Sequence, residues 1–145
     1  MKTLFICLVV VTGVVMGVVW CARTGAEEVA KQDPNQPKTE RDLCKEGNQL
    51  LMDGLKAGED RVKLLGQACD KYAEAVRIKP DSYPAHFNWG LALLTWASLP
   101  GADAVHLYEQ AADKYQKAAE IKPDVCEAYN NWAAALLGMR TRHLL

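Results

Sequence analysis

The chain has 145 residues, with 17 Lys and Arg against 18 Asp and Glu and a formal net charge of −1. A length of that order holds one domain, and balanced charge leaves no electrostatic footprint for nucleic acid, which is excluded as a partner class. Five cysteines occur with no Cys-x-x-Cys, Cys-x-x-Cys-His or zinc spacing, so the chain carries no redox, haem or metal motif and calls for no cofactor.

Residues 3–22, TLFICLVVVTGVVMGVVWCA, carry no charge and are bounded by Lys2 and Arg23. Twenty residues of helix rise about 30 Å, the thickness of a bilayer's hydrocarbon core. Residues 1–23 therefore read as an uncleaved, single-pass membrane anchor, with Trp20 at the level of an interfacial aromatic. The competing reading is a cleaved signal that leaves the protein secreted, with Thr24-Gly25-Ala26 as a cleavage site. Lys2 and the free amino group favour a domain on the exported side, periplasmic or extracellular, against a weak opposite pull from Arg23 and Lys31. Lipoprotein attachment at Cys21 is disfavoured, because Val18, Val19 and Trp20 are not small.

Residues 24–40 are polar, hold Pro34 and Pro37, and show no apolar period, so they read as a tether. From Arg41 the pattern turns helical. Leu43, Gly47, Leu50, Leu51 and Leu55 recur at spacings of three and four, as do Val62, Leu65, Ala68, Cys69, Tyr72, Ala75 and Val76. The segment CDKYAEAVRIKPDSYPAHFNWGLALL (69–94) then returns 43 residues later as ADKYQKAAEIKPDVCEAYNNWAAALL (112–137), identical at 14 of 26 positions. That is an internal repeat. The register predicts helices over 40–57, 60–78, 83–98, 103–121 and 125 to about 140.

The stops and starts have causes. Pro80 and Pro123 end the second helix of each unit near Ile78 and Ile121. Asp60, Asp81 or Ser82, Asp103 and Asp124 stand where the following helices need an amino-terminal cap, and Pro84 is tolerated in a first turn. The expected fold class is all-α, an antiparallel helix-pair solenoid of about two and a half units: 41–83, 84–126 and a partial 127–145.

Gly47, Leu50, Ala68, Tyr72, Ala75 and Pro80 in the first unit, and Gly90, Leu93, Ala111, Tyr115, Ala118 and Pro123 in the second, resemble the tetratricopeptide repeat. The third unit carries Tyr129, Trp132 and Leu136. The resemblance spans 41–145, and it implies a scaffold that binds protein or peptide in the groove lined by first helices. The usual unit has 34 residues, whereas Gly47 to Ala68 and Gly90 to Ala111 each span 21 positions, nine more than usual, which lengthens both helices at their tip. Such long units, with NWG-x-AL and IKPD, are similar to those of exported or membrane-tethered bacterial members. They are also similar to the plant-type receptor of mitochondrial protein import, which is anchored at its other end.

On this register the inner face holds Lys45, Asn48, Phe87, Asn88, Leu91, Asn130 and Asn131, together with Arg41, Cys44, Thr95, Glu127 and Ala134. The asparagines suit hydrogen bonding to an extended peptide, and Phe87 and Leu91 suit apolar contact. The plainer reading is that Asn on a solvated helix face needs no ligand. Some members of the family grip a terminal carboxylate with Lys, Asn and Arg at these positions; Asn48 and Asn88 stand where two of the asparagines would be, but Cys44, Glu127 and Asn131 replace the cations, which disfavours that partner class.

Trp89, Trp132, Tyr72 and Tyr115 read as packing, the tyrosines filling the gap to the next unit, and Cys44, Cys69 and Cys126 as small buried side chains. His86 falls where a bulky residue packs between paired helices, so it is expected to be buried and hydrogen-bonded. His86, His106 and His143 lie on separate helices and no Ser or Cys is placed with a base, so no enzyme is expected. The last helix is expected to leave Ala135, Leu136 and Met139 uncovered, either as a surface for a homo-oligomer or because a longer array continues beyond it.

Overall fold

The computed structural model of the protein describes residues 37–143. The apolar segment expected as anchor or signal, and most of the tether, lie outside the described residues. Within these there are five helices and no strand: α1 (Glu40–Lys56), α2 (Arg61–Ile78), α3 (Tyr83–Ala97), α4 (Ala104–Ile121) and α5 (Cys126–His143). None of them is long and apolar enough to cross a membrane.

The helix ends follow local chemistry. Thr39 starts α1 with a capping box, its Oγ1 accepting from the Asp42 amide while the Asp42 carboxylate accepts from the Thr39 amide. This Thr-x-x-Asp signal was legible in the sequence, just before the expected domain boundary. Ser82 caps α3 and Asp103 caps α4, each accepting a backbone N–H at 3.4 Å. Asp60 does not cap α2. Its ψ of 2° leaves the extended conformation that a capping side chain needs. Arg61 closes this tip instead, its Nε donating to the carbonyls of Gly54 and Ala57 at the end of α1. At the second tip Gly101 takes φ +79°, where a side chain would be strained.

The packing is built on small residues that admit large ones. A Cβ on Gly47 would lie 2.7 Å from the Tyr72 ring, and one on Gly90 would lie 2.9 Å from Tyr115. Both rings are 0% exposed. Each tyrosine thus closes the helix pair of its own unit rather than only the gap to the next, because the missing Cβ is on the first helix of that same unit. Gly54 meets Leu65 and Leu64 further toward the tip, so the contacts of α1 and α2 run in opposite chain directions and the pair is antiparallel.

Ala68, Ala75, Ala111 and Ala118 occupy matching positions and are all 0% exposed, which lets neighbouring helices approach. Successive helices pack on one another; α1 also touches α3, and α3 touches α5, whereas α2 and α4 do not meet. The first helices therefore form one layer and the second helices another.

Further expectations are corrected. Leu55 and Val62 lie on the apolar periodicity yet are exposed near the tip, Val62 lining a recess with Trp96 and Pro100. Cys126 is exposed at the start of α5, while Cys44 is buried and Cys69 half-buried. Ala135 is fully buried in the cluster that includes Leu107 and Ala111, so it faces α4 and not the open side of α5.

Candidate functional site

The turn from α2 into α3, Lys-Pro-Asp-Ser, places the start of α3 beside the start of α1. The Ser82 hydroxyl donates to the Glu40 carboxylate, and Cys44 Sγ donates to the same oxygen at 3.4 Å. Two turns along α1, Tyr72 Oη donates to Asn48 Oδ1 at 2.7 Å and Asn88 Nδ2 donates to that oxygen at 2.9 Å. Asn48 and Asn88 are thus brought together from residues 40 positions apart. In this arrangement Oδ1 of Asn48 is engaged twice, and its Nδ2 hydrogens face the other way.

The expected groove residues fall into three groups. Lys45 and Asn48 are exposed and line a cleft of about 450 Å³. Asn130 is exposed and Asn131 half-buried on α5, outside that cleft. Phe87 and Leu91 are half-buried and serve the interior. The Phe87 ring stacks on Tyr83 and meets Tyr115 edge-on, with centroids 5.6 Å apart in both pairs. Leu91 packs against the cluster around Leu51, Leu65 and Tyr72.

The cleft holds more than the helix register pointed to. Its walls include Arg41 and Lys45 of α1, Lys79 and Asp81 of the first turn, Tyr83 of α3, and Lys122 of the second turn. The two turn lysines could have been found in the sequence, since both belong to the repeated Ile-Lys-Pro-Asp. That the turns border the inner groove was not visible there.

Buried titratable groups are arranged for packing. His86 is 6% exposed, and its Nε2 lies 2.9 Å from the Pro80 carbonyl, which can only accept, so in the neutral ring Nε2 carries the proton. Nδ1 is then a buried lone pair without a partner. Burial holds the pKa of His86 below its ordinary 6.5, and the charges of Lys114 and Lys117 press the same way against the pull of the Pro80 carbonyl. Burial, with the Glu40 carboxylate beside it, pushes the Cys44 thiol up to about 12; burial and Asp70 do the same for Cys69. Both stay protonated at neutral pH and are poor nucleophiles. Trp89 is half-buried against the core with Lys114 Nζ 4.1 Å from its ring centroid. Among the described residues no three His, Cys, Asp or Glu side chains converge to hold a metal ion.

No known family model matches the chain, and no curated protein matches it.

Proposed function

We propose that the protein is a non-catalytic, tetratricopeptide-like solenoid that binds a protein or peptide along the layer formed by α1, α3 and α5, and that residues 3–22 hold it at a membrane on the exported side. The supporting observation is the Tyr72–Asn48–Asn88 network. It ties two first helices together at one oxygen and leaves the Nδ2 hydrogens of Asn48 as aimed donors, which suits a main-chain carbonyl of an extended segment. The repeat register supplies the rest, with Lys45, Asn88 and Asn131 at one position and Asn48, Leu91 and Ala134 at another.

Partners crosslinked to the full chain should be lost, or recovered several-fold less, with Asn88→Ala plus Asn131→Ala when the melting temperature of the variant is unchanged. Undiminished recovery would refute the groove reading.

A second reading is self-association through α5. Tyr129 and Leu136 are each 43% exposed and Leu137 is 61% exposed, whereas His86 and Leu93, the counterparts of the first two, are 6% and 2% exposed. A second copy that covers these side chains removes apolar area from water. Sedimentation over a concentration series tests it: a species that becomes monomeric with Leu136→Ser plus Leu137→Ser supports self-association, and a monomer at every concentration excludes it. A further helix from a longer array is the other occupant of that face.

A further inference from the structure

The cleft at the Lys-Pro-Asp end of the stack departs from the charge balance of the chain. Four cations reach it from three separate places: Arg41 and Lys45 one turn apart on α1, Lys79 in the first turn and Lys122 in the second. All four are exposed, and none pairs with an acidic side chain among the described residues. Lys122 is steadied over the Tyr83 ring, 5.0 Å from its centroid. Among the described residues only two acids line the cleft, Glu40 and Asp81. Of these, Glu40 already accepts from Ser82 and Cys44.

We infer that this cleft seats a peptide segment bearing two or more anionic side chains. The inference rests on the peptide-binding reading above and adds the chemistry of the partner. At about 450 Å³ the cleft is far larger than one small anion needs and is of the size that holds a multi-group ligand. Asn48 stands on its wall, and its Nδ2, which the bonds at Oδ1 do not use, can donate to a main-chain carbonyl. The cations are set around them for side-chain anions, where charge-assisted hydrogen bonds are the strong ones. Because the cations come from α1 and from two separate turns, the anions are best spaced along an extended segment and not clustered on one residue.

The test uses the full chain in detergent and three fluorescein-labelled octapeptides that differ only at four alternate positions: Glu, Gln or phosphoserine. At about 50 mM salt the Glu or phosphoserine peptide is expected to bind roughly tenfold or more tightly than the Gln peptide, with the advantage falling steeply by about 0.5 M salt. Whichever of the two binds more tightly identifies the anion as carboxylate or phosphate. Lys79→Gln with Lys122→Gln is expected to remove most of the advantage, and since both lysines are exposed, with only the Tyr83 ring against Lys122, the melting temperature should change by no more than a degree or two.

Equal binding of all three peptides, weakened alike by Asn48→Ala, would overturn the anionic inference and leave the groove reading standing. No binding of any peptide would overturn the inference too, and the crosslinking experiment then decides the groove by itself. Binding to anionic lipid vesicles through the same lysines, with no preference among the peptides, would also overturn it.

Discussion

Tyr72 and Tyr115 are one residue of the repeat in two different surroundings. Each ring fills the notch of a glycine, and burial raises the pKa of both phenols. The Tyr72 hydroxyl has Asn48 as acceptor, whereas the Tyr115 hydroxyl is buried without a partner because Leu91 stands at the position of Asn48. An unmade buried hydrogen bond costs about 1–3 kcal/mol. Leu91→Asn is therefore expected to stabilise the protein by about 1 kcal/mol in denaturant unfolding, net of the leucine packing it removes. A loss of stability would show that the Leu91 contacts outweigh the orphan hydroxyl.

His86 makes a second prediction at this scale. Its folded pKa lies below the unfolded value of about 6.5, so the folded state resists the proton that the unfolded state accepts. The stability held above pH 6.5 is lost as pH falls from there toward the folded pKa. His86→Leu, which copies Leu43 at the matching position, is expected to flatten the melting temperature between about pH 7 and pH 5. The Glu46 carboxyl, held below its usual range first by Lys38 and then by Lys71, acts in a separate window. It loses its contribution only below the ordinary carboxylate pKa. A wild-type curve already flat from pH 7 to pH 5 would contradict the assignment.

At the scale of the element, most helix starts and stops can be tied to a backbone requirement. Pro80 and Pro123 stop α2 and α4, and Lys79 and Lys122 each close the last turn with an N–H bond of 2.9 and 3.0 Å to Ala75 and Ala118. These stops were legible in the sequence because proline acts on its immediate neighbours. That Asp60 leaves its helix uncapped was not, since a capping residue needs an extended backbone that the tip does not provide. Thr39 carries the opposite lesson, a full capping box at the edge of the polar tether. Thr39→Ala is expected to cost about 1 kcal/mol and to fray the first turn of α1. Hydrogen exchange at the amides of residues 40–44 would report this, while protection in α4 should not change.

At the scale of the whole molecule, the contacts among the described helices run between neighbours and between successive first helices, so stability is passed from pair to pair. The centre of the array is α3 with α4, pinned by Tyr115 in the Gly90 notch and by Phe87 against the same ring. Tyr115→Ala is expected to cost about 3–5 kcal/mol, as for a large buried aromatic. That is a major share of what a small domain has, so cooperative unfolding should be lost well below the wild-type midpoint. A melting temperature shifted by only a few degrees would mean that the array does not depend on this pin.

Over the described residues the sequence by itself determined the number and order of the helices and, closely, where they begin and end. Those properties come from helical periodicity, proline geometry and a repeated register, all of which act within a few residues or copy themselves exactly. Only the tertiary structure decided which repeat positions became equivalent in fact. It joined Asn48 to Asn88 through one oxygen, left Tyr115 without the acceptor Tyr72 has, turned Phe87 and Leu91 toward the interior, and gathered Arg41, Lys45, Lys79 and Lys122 around one cleft. The reason is distance along the chain. Lys79 and Lys122 each belong to a local turn, and only the stacking of α1, α3 and α4 brings their charges to the same side.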